Sequence, residues 1–555
     1  MKIETAIKTA LQELEVSDVA FSVEHPTDSS HGDYATNVAL VASKQLGKNP
    51  REFAEELSVK LTNFETSVAG PGFINFHMPR SYFTEGVTRS VSLADDWGRG
   101  DSLKGLLYLV EYTDPNPFKE FHIGHLFTNS VGETLSRLVE FSGATTKRLC
   151  YQGDVGMHVA NALWGMQQMG LTPESEFTAR ELGKAYALGA TAYKEDEVAQ
   201  TAIKALNKKI YERTDEEVNA LYDKGRAVSL EYFESIYRLV GTDFDEYFFE
   251  SEAGPKGKEL VLDFPEVFTD SDGAKVFAGE QYGLHTRVFL NSEGLPTYEA
   301  KELALAKMKE DRLGSYDHSI ISTANEITEY FKVLKKAMSF IYPDLEAKTE
   351  HIGHGTVRLT SGKMSSRTGD VIAAIDFIDE IAAAAGERIA AASPELAGDT
   401  QLAQTIALGA IKYATLKGNI LQDSVFSKED ALSFEGASGP YLQYTHARIF
   451  SVLRKAGEVG VVPGAAKVPE QVYGVERLLY RFPQVIAEAT EDRAPHKVAQ
   501  YLTELAGSFN TFYAQEKIAD SSDEYAPYKA LVAQSVAQTI KNGLWILGIK
   551  APEKM

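Results

Sequence analysis

Leu106-Leu-Tyr-Leu-Val110 runs through a proline-containing loop, Glu111-Tyr-Thr-Asp-Pro-Asn-Pro-Phe-Lys-Glu-Phe121, to His122-Ile-Gly-His125 and then to Leu126–Phe141. The first five residues form a short continuous apolar run, as expected of a parallel strand buried on both faces. From Leu126 the apolar residues recur at 127, 131, 135, 138 and 139, the stripe of an amphipathic helix that Gly143 closes. Strand, loop and helix open a doubly wound nucleotide fold, whose ligands sit at the carboxyl ends of strands. Two histidines at the mouth of the helix would set ring N–H donors and backbone amides against phosphate oxygens, where the helix dipole favours negative charge. Gly124 would let a flat adenine ring approach the backbone.

A second motif lies far downstream, Ser361-Gly-Lys-Met-Ser-Ser-Arg-Thr-Gly369. This small polar loop could close on a triphosphate. Lys363 and Arg367 would neutralise the leaving pyrophosphate, with Met364, Ser365 and Ser366 beside the nucleotide. The pair of motifs, in this order, points to a nucleotidyl-transfer site that grips ATP from two sides and activates a carboxylate as its adenylate. The letters His-Ile-Gly-His recur at His351–His354. That copy lacks a strand-to-helix transition and reads as a strand or loop whose letters coincide.

The 555 residues suggest three or four domains at ~150 residues each. Charged residues are 24% and hydrophobic ones 44%, a composition that argues against disorder. Cys150 is the single cysteine, which excludes a disulfide framework or paired-cysteine zinc and fits a reducing, cytoplasmic setting. No signal peptide is evident at the start, and no apolar run approaches the ~20 residues of a membrane span. The net charge of −23 opposes a broad nucleic-acid footprint, although a local basic track on an acidic body remains compatible with it. Residues 1–85 read as a small α/β unit. Residues 100–375 read as the nucleotide-binding domain, with a charged, solvated helical insertion at about 172–245, and 402–555 as a helical domain.

The chain resembles the arginyl-tRNA synthetase family of the class I aminoacyl-tRNA synthetases, over nearly its whole length. The resemblance rests on both motifs, on His31-Gly-Asp-Tyr-Ala-Thr-Asn37 and Gly70-Pro-Gly-Phe-Ile-Asn75, and on Glu111–Lys119 and Gln152-Gly-Asp-Val-Gly156. It extends to Ser433-Phe-Glu-Gly436, Gly439-Pro-Tyr-Leu-Gln-Tyr444 and Arg448. It implies a doubly wound, Rossmann-like parallel-sheet core, an N-terminal domain touching the tRNA elbow and an all-helical anticodon-binding domain. The implied reaction makes arginyl-adenylate from L-arginine and ATP with Mg²⁺, then transfers the arginyl group to tRNA(Arg). No protein-held metal, no membrane and a monomer are expected.

Position by position, the resemblance assigns Glu111, Asn116, Tyr298, Glu302 and Asp154 to arginine. It assigns Lys119, His122, His125, Lys363 and Arg367 to catalysis. A guanidinium offers a fork of donors that a carboxylate accepts two at a time. Outside the resemblance, Glu302 reads as a surface partner of Lys301 or Lys307. Ser366 stands where the family has a second lysine, so Lys119 or Arg367 must supply that charge. Thr323-Ala-Asn-Glu326 stands where the family has a glutamine- and histidine-containing stretch. Tyr441, Tyr444, Asn510, Tyr513 and Trp545 are candidates for stacking on anticodon bases, with Arg448, Arg454 and Lys455 for phosphates. The competing readings are another class I synthetase, a small-molecule nucleotidyltransferase, which leaves the helical C-terminal region unexplained, and a non-catalytic tRNA-binding relative.

Overall fold

Leu107–Glu111 forms the central strand (β1) of a five-stranded sheet. Its other strands are β2 (Thr145–Gln152), β3 (Glu246–Phe249), β4 (His318–Ala324) and β5 (Thr349–His354), all parallel, in the order β5-β4-β1-β2-β3. The chain steps from β1 one way to β3, then returns to the other side of β1 through β4 and β5. This reversal makes β1 and β4 the switch point of a doubly wound sheet, where a crevice opens at the strands' carboxyl ends. The computed structural model describes residues 2–26, 28–360 and 372–555.

Helices cover the sheet. β1 leads to α1 (Ile123–Phe141) and β2 to α2 (Met157–Gln168). Three helices follow, α3 (Ala179–Glu195), α4 (Glu197–Glu212) and α5 (Glu216–Val240), begun by the side-chain caps of Thr178, Asp196 and Asp215. The sequence suggests a merely solvated insertion here. The apolar stripes of α2–α5 instead meet in a core of their own, with Val159, Leu163, Leu182, Ile203 and Leu221 around Phe118 from the loop before α1. The many charges occupy the outer faces, so charge content alone conceals the packing. Helices α6 (Glu250–Asp263), α7 (Tyr298–Leu313) and α8 (Thr328–Ile341) complete the part that frames the crevice.

Two compact units divide the chain. One comprises Asp95–Ser451, Phe482–Gly507 and Ala537–Met555; the other comprises Met1–Ala94, Val452–Arg481 and Ser508–Val536. The C-terminal helices are thus distributed over both. The smaller unit holds a four-stranded antiparallel sheet of Val23–Glu24, Tyr34–Thr36, Phe73–His77 and Glu65–Ala69, in that order. Within it Asp33 accepts the Met78 N–H at 2.8 Å and pairs with Arg477. Arg80 pairs with buried Glu476 at 2.8 Å, and the Tyr528 hydroxyl donates to the same carboxylate. Among the described residues no helix is long and apolar enough to cross a membrane.

Candidate active site

His122 is the N-cap of α1, and it caps with its own ring. Its Nδ1 accepts the His125 backbone N–H at 3.4 Å, and His125 Nδ1 accepts the His122 backbone N–H at 3.3 Å. This is the reciprocal pattern that serine and glutamate usually make. The two rings stack with centroids 3.7 Å apart and planes 18° apart. A ring nitrogen that accepts an N–H carries no proton, so each neutral ring keeps its proton on Nε2. Burial pushes His122 down to about 4, with the Lys119 charge acting in the same direction. His125 is held well below its ordinary value by burial, then by His122 and Lys119. At neutral pH the helix mouth therefore offers two neutral Nε2–H donors of fixed tautomer. Gly124 has a local reason as well: a Cβ there would sit 2.9 Å from the His122 ring.

The loop between β1 and α1 is strained and cross-braced. Thr113, Asp114 and Phe118 have φ of 81°, 43° and 68°, values that side-chain-bearing residues seldom adopt. Asn129 Nδ2 donates to Thr113 Oγ1 at 3.0 Å, the Tyr151 N–H to Asp114 Oδ1 at 2.7 Å, and the Phe118 N–H to Ser229 Oγ at 2.9 Å. Half-buried Lys119 lies on the same loop, its ammonium 4.6 Å from the centre of the Tyr186 ring of α3.

Glu111 ends β1 and is buried, as is Glu302 on α7. Lys309, seven residues after Glu302, brings its ammonium to 2.8 Å from Glu111 Oε2, and both side chains are 2% exposed. Burial and the neighbouring Glu111 charge push Glu302 up to about 8, against the opposing pull of Lys309 and a hydrogen bond from Tyr298. Asp114 is raised well above its ordinary value by burial and Glu111, with a smaller contribution from Glu302. Three carboxylates thus share one ammonium, an arrangement short of positive charge. Tyr298 opens α7, its ring 5.0 Å from that of Tyr330. Asn116 Oδ1 fills the space beside Gly153 on the loop after β2.

The surface reading of Glu302 is corrected by its neighbours. Lys301 is buried and pairs with Glu250 at 2.5 Å, while Lys307 pairs with Glu310 and Asp311. Asp154 is buried and already accepts four hydrogen bonds, from Tyr222 (3.3 Å), Arg226 (2.9 Å), and the N–H (2.8 Å) and Oγ (2.7 Å) of Ser251. Lys363, Met364, Ser365, Ser366 and Arg367 lie outside the described residues. The chain that follows them is tied to the first motif. The Ile123 N–H donates to Ile372 O at 3.2 Å, the Ala374 N–H donates to Phe121 O at 2.8 Å, and His122 and Ala373 form an antiparallel bridge. Sequence reasoning missed Asp114 and Lys309. The seven-residue spacing of Lys309 from Glu302, two helical turns, was the available signal.

The anticodon candidates are dispersed. Tyr441, Tyr444 and Arg448 share the helix Gly439–Glu458; Tyr444 is 40% exposed, its ring 6.0 Å from Phe434. Asn510 and Tyr513 lie on Pro495–Gln515, within the smaller unit. There Tyr513 stacks on Phe509 at 6.1 Å and lines a cavity with Lys455. Trp545 is a packing residue, lying against Phe141 (5.9 Å), Arg137 (4.9 Å) and Arg99 (5.7 Å).

The sequence matches three family profiles in succession. They are the arginyl tRNA synthetase N terminal domain over residues 1–78, the catalytic domain of tRNA synthetases class I (R) over 103–428, and the DALR anticodon binding domain over 442–555. The chain is similar to an arginine–tRNA ligase of Clostridium acetobutylicum, 30% identical over 543 residues that cover 96% of each chain. An arginine–tRNA ligase of Limosilactobacillus reuteri is 30% identical over 568 residues, covering 100% of this chain and 99% of the relative. The solved Thermus thermophilus arginyl-tRNA synthetase superposes with a TM-score of 0.81 at 26% identity, covering 100% of this chain and 99% of that one. A Mycobacterium tuberculosis methionyl-tRNA synthetase in complex with methionyl-adenylate shares the fold alone, with a TM-score of 0.51 at 11% identity over 81% of this chain and 92% of that one. With a catalytic-domain match spanning more than half its length and relatives alike from end to end, this chain belongs to the arginyl-tRNA synthetases of class I.

Proposed function

We propose that this chain charges tRNA(Arg) with L-arginine. The arginine carboxylate attacks the α-phosphorus of ATP, the bond to the β-phosphate oxygen breaks, and arginyl-adenylate and pyrophosphate result. The 3′-terminal ribose of the tRNA then takes the arginyl group and AMP leaves. The observation that carries this reading is the surplus of carboxyl groups, Glu111, Asp114 and Glu302 around the single ammonium of Lys309. A guanidinium supplies the missing positive charge and presents paired donors to a carboxylate. A lysine substrate would bring the charge without the fork.

The His122 and His125 Nε2–H groups hold the α-phosphate oxygens as charge builds on them, and Lys119 adds a full positive charge. Lys363 and Arg367 meet the leaving pyrophosphate. Mg²⁺ enters with ATP, held mainly by phosphate and water. Glu111, Asn116, Tyr298 and Glu302 form the arginine pocket, while Asp154, its acceptors already used, positions the loop after β2. Tyr441, Tyr444 and Arg448, with Asn510 and Tyr513, contact the anticodon arm. The protein works as a cytoplasmic monomer.

The test is ATP–pyrophosphate exchange with each amino acid in turn, with and without total tRNA. Glu302→Gln is expected to raise the KM for arginine about a hundredfold, the value of a charge-assisted paired hydrogen bond, and to leave the KM for ATP unchanged. Equal effects on both substrates would refute the assignment.

A further inference from the structure

The larger unit carries a partly open cavity of about 490 Å³ that plays no part in the reaction above. Among the described residues four cations line it, Arg137, Lys412, Lys541 and Lys550, and no carboxylate does, in a chain whose net charge is −23. Two of the four are balanced from behind: Arg137 pairs with Glu133 at 2.6 Å and Lys541 with Asp95 at 2.6 Å. Lys412 is different. It is buried, and its ammonium donates to Val240 O at 2.6 Å and to Gly548 O at 2.7 Å. These carbonyls close α5 and follow the helix Ala526–Ile546. An ammonium has three donors, so one is left over. Among the described residues no carboxylate forms an ion pair with Lys412 or with exposed Lys550.

Burial pushes the Lys412 amine down to about 7; Arg137 and Lys550 push it the same way, and Glu133 opposes them. A buried cation without a counter-charge is costly, and a bound anion would remove that cost. Leu408 and Trp545 give the cavity apolar walls, which strengthen any charge contact made inside it.

We propose that this cavity binds a phosphate-type oxyanion, held by the remaining donor of Lys412 together with Lys550. The phosphate has two possible sources, free pyrophosphate or the tRNA backbone. The second rests on the charging function proposed above; the first does not.

Amide hydrogen exchange, resolved by peptide on the full chain, tests this away from the catalytic residues. Inorganic pyrophosphate and tRNA are added in separate arms, and residues 405–412 and 541–551 are read. Slower exchange there with pyrophosphate, with tRNA or with both supports the site, and the effective arm names the source. Lys550→Ala changes an exposed side chain and leaves the fold intact; it is expected to raise the ligand concentration needed for protection about tenfold, as for one charge-assisted hydrogen bond. Lys412→Met is expected to abolish protection. No protection in either arm overturns the proposal, and so does protection unchanged in both variants. Pyrophosphate protection that survives alongside a failed Glu302→Gln result would leave this site standing and the charging assignment fallen.

Discussion

His-Ile-Gly-His occurs twice in this chain, and the two copies do opposite things with the same letters. At 122–125 the motif begins a helix, where residues three apart share a face. The histidines stack at 3.7 Å and cap each other. At 351–354 it lies within β5, where residues three apart point to opposite faces. His351 lies flat on Phe331 at 3.8 Å and hydrogen-bonds Thr323 Oγ1 at 2.8 Å. His354 turns away to Gly355 O at 2.9 Å and Thr128 Oγ1 at 3.0 Å. Acidity does not separate the copies, since burial pushes His351 to about 4 as well. Backbone period does: a helix converges the two rings on one ligand, and a strand spends them on separate packing duties.

The largest effect that could break this contrast comes from deleting one ring of each copy. His125→Ala should slow ATP–pyrophosphate exchange about a thousandfold, the scale of a lost donor to developing charge, while His354→Ala stays within about threefold. Similar losses at both positions would erase the distinction. Lys119→Ala should slow adenylate formation about thirtyfold with tRNA affinity unchanged; a fall in tRNA affinity instead would make Lys119 a contact to the tRNA backbone.

The pH dependence sharpens the contrast in two directions. The His122 value of about 4 lies below the ordinary 6.5, so the stability it contributes is whole above 6.5 and is lost as pH falls from there toward 4. Exchange activity should show no ionisation of the histidine pair between pH 6 and 7. Glu302 runs the other way: its value of about 8 lies above the ordinary 4.5, so the stability it contributes is present below 4.5 and is lost between there and 8. At pH 7 the empty pocket holds a proton that arginine must expel. The KM for arginine should fall as pH rises from 7 to 9, with proton release on binding seen by calorimetry in two buffers, and Glu302→Gln should abolish both. The smallest effect belongs to the strand copy. His351→Ala should cost about 1–2 kcal/mol of stability, from one ring stack and one hydrogen bond, as read by denaturant unfolding.

The strand at 106–110 was legible because a continuous apolar run bounded by a turn has few other readings. Helix α1 was expected from Leu126 but begins at Ile123, because a histidine ring does the capping and histidine is not a usual cap signal. The acidic pocket was only partly legible. Lys301 and Lys307 offered Glu302 plausible partners along the helix, but tertiary packing gave Lys301 to Glu250, 51 residues away. The partners of Asp154 lie 68 to 97 residues off in sequence, a distance at which one sequence carries no pairing signal. Trp545 shows the same limit, since an aromatic on a helix stripe reads alike whether it faces a base or Phe141.

One feature of Arg137 reaches beyond the finished protein. Tyr112, next to Glu111, donates to Glu133 at 2.5 Å; Arg137 grips Glu133 at 2.6 Å and the carbonyl of Trp545 at 2.8 Å, across 408 residues. A nascent polypeptide halted short of position 545 lacks one of the acceptors that seat this arginine. The brace behind its amino-acid pocket therefore closes only once position 545 has been translated, 408 residues after Arg137 itself.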